Sequence, residues 1–123
     1  MNFHFTDDFV KQVHTCDTLF ADIDTAGDCQ ISLEEFKVYV AKRNKKVEHQ
    51  EEVLKEFKQI DLDQDGQIQF LEFLRAICLK EGIVFPMELS VLDRLRIFEI
   101  IEYRHISARE QAELLAELST IQK

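Results

Sequence analysis

Two stretches of this chain are one pattern written twice. "LFADIDTAGDCQISLEEF" and "EFKQIDLDQDGQIQFLEF" align at a constant offset of 37 residues. Phe20 falls on Phe57, Ile23 on Ile60, Asp24 on Asp61, Asp28 on Asp65, Ile31 on Ile68, Glu35 on Glu72 and Phe36 on Phe73. Matched apolar and acidic positions at one spacing mark an internal repeat, and a short repeat buries its apolar face only against its neighbour.

Helical periodicity flanks each repeat. Phe9, Val13, Cys16 and Phe20 share one face of a helix from about Asp7, with Thr6 as N-cap and Asp7 and Asp8 at its positive end. Leu33, Phe36, Tyr39 and Val40 form a second face; Val53, Phe57 and Ile60 a third. Phe70, Phe73, Leu74 and Ile77 form a fourth, which should end near Gly82. Three glycines and one proline in 123 residues leave few tight turns, which favours helices over a sandwich. The order is helix–loop–helix, twice. The basic run "AKRNKK" (41–46) between the repeats sits where a helix C-terminus favours cations.

From residue 83 the character changes. "GIVFP" is an apolar connector, and "ELSVLDRLRIFEIIEYRH" reads as a helix over 88–103 with Leu89, Val91, Leu92, Leu95, Ile97, Phe98, Ile100 and Ile101 around most of its circumference. A helix apolar on nearly all sides is buried on more than one side. Ser107 and Glu110 form a capping box for a last helix from Ala108, whose apolar stripe reads as Ala108, Ala112, Leu115, Leu118 and their neighbours. The division is therefore a lobe over 1–82 and a helical hairpin over 83–123, packed on the lobe or on a second copy.

The acidic cluster Asp61, Asp63, Asp65 and Glu72 costs stability unless a cation sits within it. A hard dication takes six to eight oxygens. In a twelve-residue loop, positions 1, 3 and 5 (Asp61, Asp63, Asp65) point inward, position 7 (Gln67) offers its carbonyl and position 12 (Glu72) reaches back. Gly66 takes the positive-φ bend at position 6, and Ile68 pairs with Ile31 of the other loop. This loop satisfies D-x-D-x-D-G-x-I-x-x-x-E throughout and closely resembles the EF-hand family. Residues 7–82 look like one lobe of calmodulin or troponin C.

The resemblance implies an all-α fold of paired EF-hands, with a short two-stranded ladder between the loops, followed by two C-terminal helices. It implies calcium at Asp61, Asp63, Asp65, Gln67 and Glu72, with magnesium competing for the site. The first loop departs from the pattern. Asp24, Asp28, Gln30 and Glu35 remain, but Ala26 at position 3 gives no side-chain oxygen and Cys29 stands at position 6. Gly27, two residues early, offers a rearranged bend. This loop is expected weakly filled or empty.

In sensor EF-hands the ion exposes an apolar groove. Phe20, Phe36, Val40, Phe57, Phe73 and Ile77 are its expected lining here, and a basic amphipathic helix of a partner its expected occupant. The hairpin could also fill that groove, or self-associate through 88–103. A buffer or structural module, in which one ion stabilises a closed fold, is the second reading.

Other classes find little support. A net charge of −9 argues against nucleic acid. No stretch is apolar enough to insert in a membrane. Three cysteines without metal-like spacing and without a secretory leader read as reduced thiols in the cytoplasm. Cys16 and Cys78 fall on core faces; Cys29 is expected exposed, with a redox role as the sharper alternative. His4, His14, His49 and His105 are scattered, and no nucleophile–base pairing or phosphate loop points to an enzyme.

Overall fold

The computed structural model describes residues 3–43 and 50–121. Helix α1 (Asp7–Ile23) begins at Thr6, whose hydroxyl accepts the Phe9 N–H at 3.1 Å. Its inner face, Phe9, Val13, Cys16, Phe20 and Ile23, is buried along its whole length. Strand β1 (Ile31–Ser32) leads into α2 (Leu33–Arg43); α3 (Gln50–Ile60) leads through β2 (Gln67–Ile68) into α4 (Phe70–Lys80). The strands are antiparallel, with Ile31 opposite Ile68 and Ser32 opposite Gln67. Both isoleucines are fully buried, so the ladder joins the loops through the core as well as through the backbone. Gly82 ends α4 at φ 72°, where the Ile83 N–H reaches the Cys78 carbonyl at 2.8 Å. Lys42 and Arg43 close α2 as helix-terminal cations, while 44–46 of the basic run lie outside the described residues.

Helix α5 is Val91–Ile100, shorter than the 88–103 read from the sequence. Ser90 caps it by accepting the Asp93 N–H at 3.1 Å. At the other end Glu102 and Tyr103 adopt left-handed φ of 55° and 60°, and the Tyr103 N–H closes on the Phe98 carbonyl at 2.7 Å. That turn sends Arg104 and His105 back towards α1. Helix α6 (Ala108–Ile121) starts at the expected capping box, with the Glu110 N–H on Ser107 Oγ at 3.1 Å. Its expected stripe is out of phase, however. Ala108, Ala112 and Leu115 face solvent, and the inward face is Glu110, Leu114 and Leu118. A stripe of alanines looks apolar in sequence, but Leu114 removes more area from water than two alanine methyls.

The helix pair and the lobe share one core, which joins Val91, Ile97, Phe98, Ile101 and Leu114 to the aromatics of α1 and α4. Helix α5 packs on α1, and α6 on α5. Phe98 meets Phe70 with ring centroids 6.1 Å apart; His105 stacks on Phe70 at 5.5 Å and lies 4.8 Å from Phe20. The N-terminal segment covers the other side of α5. Phe3 and Phe5 pack on Phe9, the Phe3 N–H donates to Asp93 at 3.0 Å, and Arg96 lies 4.0 Å over the Phe5 ring. Leu92 of α5 is well exposed, as are Val84 and Met87 of the connector.

Candidate metal centre

The second loop starts where α3 ends. Asp61 is buried; its Oδ2 accepts the Gly66 N–H at 2.9 Å, while its Oδ1 is buried with no hydrogen-bond partner. An unpartnered buried carboxylate oxygen is costly and asks for a ligand. Asp63 Oδ1 accepts the Asp65 N–H at 3.3 Å, and Asp65 Oδ1 the Gln67 N–H at 3.0 Å. These short Asx links fold the loop so that one oxygen each of Asp61, Asp63 and Asp65 lies within 4.8 Å of the others. The donor set therefore fits a hard dication.

Glu72 stands apart from that trio. Its Oε1 takes the Gln69 N–H at 2.9 Å, capping α4, and its Oε2 the Asp63 N–H at 3.2 Å. Burial, then the charges of Asp63 and Asp61, outweigh these bonds and push Glu72 up to about 7. Burial, together with the neighbouring Asp63 and Asp65 carboxylates, raises Asp61 to about 6. Burial also acts upward on Asp63, but the neighbouring Asp61 carboxyl, the Arg109 guanidinium and the Asp65 N–H outweigh it and hold Asp63 below its usual range. The Gln67 side-chain Oε1 is also buried and unpartnered, and the Gln67 backbone lies in β2.

The first loop assembles a similar group from Asp24, Asp28 and Glu35, again within 4.8 Å. Its oxygens are better satisfied. Asp24 Oδ1 accepts the N–H of Gly27 at 3.1 Å and of Asp28 at 3.3 Å, and Oδ2 that of Cys29 at 2.8 Å. Glu35 accepts the Ser32 N–H at 2.8 Å and the Ala26 N–H at 2.9 Å; these bonds overcome its desolvation and hold it below the usual glutamate range. Gln30 spends its side-chain oxygen on Gln69 Nε2 at 2.8 Å, a link between the loops. Ala26 and Asp63 both give their N–H to the glutamate at position 12, but Ala26 has no carboxylate to add where the second loop has that of Asp63.

The bend of the first loop is not rearranged. Cys29 sits at φ 64° where the second loop has Gly66 at φ 86°. Two residues earlier Gly27 at φ 70° matches Gln64 at φ 54°. Each loop thus has one glycine and one strained side chain in the two left-handed positions, exchanged between repeats. The demand for glycine is conformational alone, since a Cβ on Gly66 or Gly27 would meet nothing within 4 Å. Cys29 is half-buried rather than exposed; its Sγ–H donates to the Arg104 carbonyl at 3.4 Å. Burial and the charges of Asp24 and Asp28 raise its pKa, which does not suit a reactive thiolate. Cys16 and Cys78 are core residues, raised by burial to about 12 and about 11.

The six residues expected to line a groove are packed on one another. Phe20, Phe36, Phe57 and Phe73 are buried, Val40 and Ile77 half-buried. Phe36 meets Phe57 at 5.7 Å and Phe20 meets Phe73 at 5.9 Å. A cleft of about 290 Å³ at the edge of this group includes Phe36, Phe73 and Ile77 in its lining.

Two features were not read from the sequence. Arg109, in the first turn of α6, reaches Asp63 Oδ2 at 2.5 Å and pairs with Asp65 as well. Asp17, buried on α1, pairs with Arg104 and lies 2.7 Å from His105 Nε2. That nitrogen is also 3.0 Å from the Asp17 carbonyl. Both oxygens are acceptors, so Nε2 carries the proton. A lone acid on an apolar face was the available signal for Asp17; the residues opposite it were not legible.

The family model of the EF-hand domain pair matches residues 16–78. The chain belongs to the EF-hand family. No curated protein and no solved structure matches it. EF-hand pairs are regulatory and structural modules without catalysis, and this fold is consistent with calcium sensing through a conformational change. Among the described residues, no helix is long and apolar enough to cross a membrane.

Proposed function

We propose that this protein is a calcium sensor whose second loop takes the ion and whose lobe then opens to a protein partner. The observation that carries the reading is the buried, unpartnered Asp61 Oδ1 beside the carboxylates of Asp63 and Asp65. A bound dication supplies the positive charge that offsets the loop carboxylates and favours the oxygen-rich set over loop amides. Glu72 is the moving part. Its carboxylate rests on the Gln69 and Asp63 amides, and drawing it towards the three aspartates turns the first turn of α4 against α3. Phe36, Phe57 and Phe73, packed together within the lobe, then become the partner surface, with Val40 and Ile77 at its edge. The net charge of −9 favours a basic amphipathic helix as occupant over a second copy. Calcium rather than magnesium is the natural occupant, because a bidentate Glu72 raises the coordination number, with magnesium competing at rest. The cytoplasm, where calcium is a signal and thiols stay reduced, is the compartment that suits this role.

A closed calcium buffer is the second reading. Phe98 on Phe70 and His105 between Phe70 and Phe20 fasten α5 to the start of α4 and the end of α1, which opposes opening.

Titration calorimetry of the wild type beside Glu72→Gln, with dye binding to apolar surface in parallel, separates these. A sensor releases heat at one strong site, gains dye binding with calcium, and loses roughly 100-fold or more in affinity on Glu72→Gln. Heat without dye binding selects the buffer; no heat at millimolar calcium removes both.

A further inference from the structure

The second loop already holds a cation. Arg109 sits in the first turn of α6, forty-four residues beyond Asp65, and its guanidinium takes Asp63 Oδ2 and Asp65 Oδ2 together. Its Nε holds Glu113 at 3.1 Å, which fixes the fork along the helix. The choice of oxygens matters. Asp63 Oδ1 and Asp65 Oδ1 are occupied by loop N–H groups, so the Oδ2 atoms are those left to face a ligand, and Arg109 has both. Asp61 Oδ1, which Arg109 does not reach, is a buried carboxylate oxygen left without a partner. A guanidinium only donates; it can bridge two carboxylates, but its single positive charge offsets only one of them and it cannot fill the loop. In the first loop Asp28, the counterpart of Asp65, has no cation paired with it among the described residues.

We propose that Arg109 is an internal counter-cation of the second loop, occupying the Asp63 and Asp65 oxygens that a divalent ion needs, so that ion binding expels it and loosens the first turn of α6. This rests on the calcium reading above and extends it to the C-terminal helix. The rest of the hairpin stays in place. Asp17 keeps Arg104 and His105, Phe98 stays on Phe70, and α6 keeps Leu114 in the core and Glu117 on Arg94 at 2.6 Å. The loop thus reports its occupancy to a helix outside the EF-hand pair, by competition for the same oxygen atoms. The pairing is partly exposed, with the Arg109 side chain 43% accessible, so its strength is modest and salt-sensitive.

The test is calcium titration of full-length wild type and Arg109→Ala, with amide hydrogen exchange of Glu110–Glu113 read with and without the ion. Arg109→Ala removes an exposed side chain and leaves the Ser107–Glu110 cap intact. It is expected to bind calcium roughly 3- to 10-fold more tightly than wild type, with the ratio shrinking as salt rises. Exchange in Glu110–Glu113 should speed up on calcium binding in the wild type, and should be fast in the ion-free variant. Equal or weaker affinity in Arg109→Ala overturns the proposal, because Arg109 would then support the loop. So does exchange that calcium leaves unchanged in the wild type. Either result leaves the calcium reading standing. No binding by either protein overturns both.

Discussion

Glu110 carries two demands on one carboxylate. Its oxygen accepts the Ser107 N–H that starts α6, at 3.5 Å, yet the residue is buried. Burial first, then the charges of Glu72 and Glu113, push it up to about 7. The sign follows from linkage. A carboxyl whose folded pKa exceeds its unfolded value holds its proton more tightly when folded, so stability is lost as pH rises from about 4.5 through 7. Glu110→Gln keeps an oxygen acceptor for the cap and removes the charge. We expect it to stabilise the ion-free protein at pH 8, by up to about 3 kcal/mol, and to change little at pH 5. Thermal unfolding of both proteins at the two pH values checks this; equal shifts at both would locate the effect elsewhere. The same reasoning with the sign reversed applies to Asp17. Arg104 and His105 hold its pKa down against the opposing effect of burial, so its contribution is present above the ordinary carboxylate range and is lost as pH falls through the depressed value.

At the scale of elements, local pattern and tertiary contact disagree over the buried face of α6 and the ends of α5. Thr6 and the Ser107–Glu110 pair start α1 and α6 where capping chemistry alone puts them, whereas Ser90, which starts α5, lies inside the helix read from the sequence. Which face of α6 turns inward is another matter, because Leu114 and Leu115 are equally apolar neighbours one residue apart. Leu114 is 4% exposed and Leu115 59%. Leu114→Ala should therefore destabilise by about 2–4 kcal/mol, and Leu115→Ala by less than about 0.5 kcal/mol, in urea unfolding. Similar costs at both sites would mean that α6 is rotated from the position described. Helix α5 teaches the same lesson at its ends. Its apolar run extends past Ile100, but two left-handed residues stop it there, and they bring His105 under Phe20 and Phe70.

For the whole molecule, one core has consequences that two domains would not. Residues 83–123 read in sequence as a hairpin packed on the lobe or on a second copy; here Phe98, Ile101 and Leu114 are buried in the same cluster as Phe20 and Phe70, and Phe3 and Phe5 close over α5 from the N-terminal side. The lobe and the helix pair should then unfold as a unit. Urea transitions followed by far-UV circular dichroism and by exchange of α5 amides are expected to give the same free energy. A lower value for α5 would show that the pair undocks alone. The arrangement also decides where calcium can act. Helix α5 is fastened beside α1 and α4, and Arg109 comes to the second loop from α6, so an ion there presses on the lobe and the last helix together.

What the sequence by itself determined was everything carried by local spacing and by the repeat: the loop carboxylates and their glycine, the caps of α1 and α6, and the Ile31–Ile68 pairing that the 37-residue offset aligns. Those rest on backbone geometry and on spacing along the chain, which neighbours cannot much alter. The tertiary structure alone decided the partners that meet across 44 to 90 residues: Arg109 with Asp65, His105 with Asp17, and Phe3 with Asp93. It also decided which face of α6 is buried. These choices depend on how the apolar surfaces of six helices are covered at once, and a side chain's own neighbours in sequence carry no record of that.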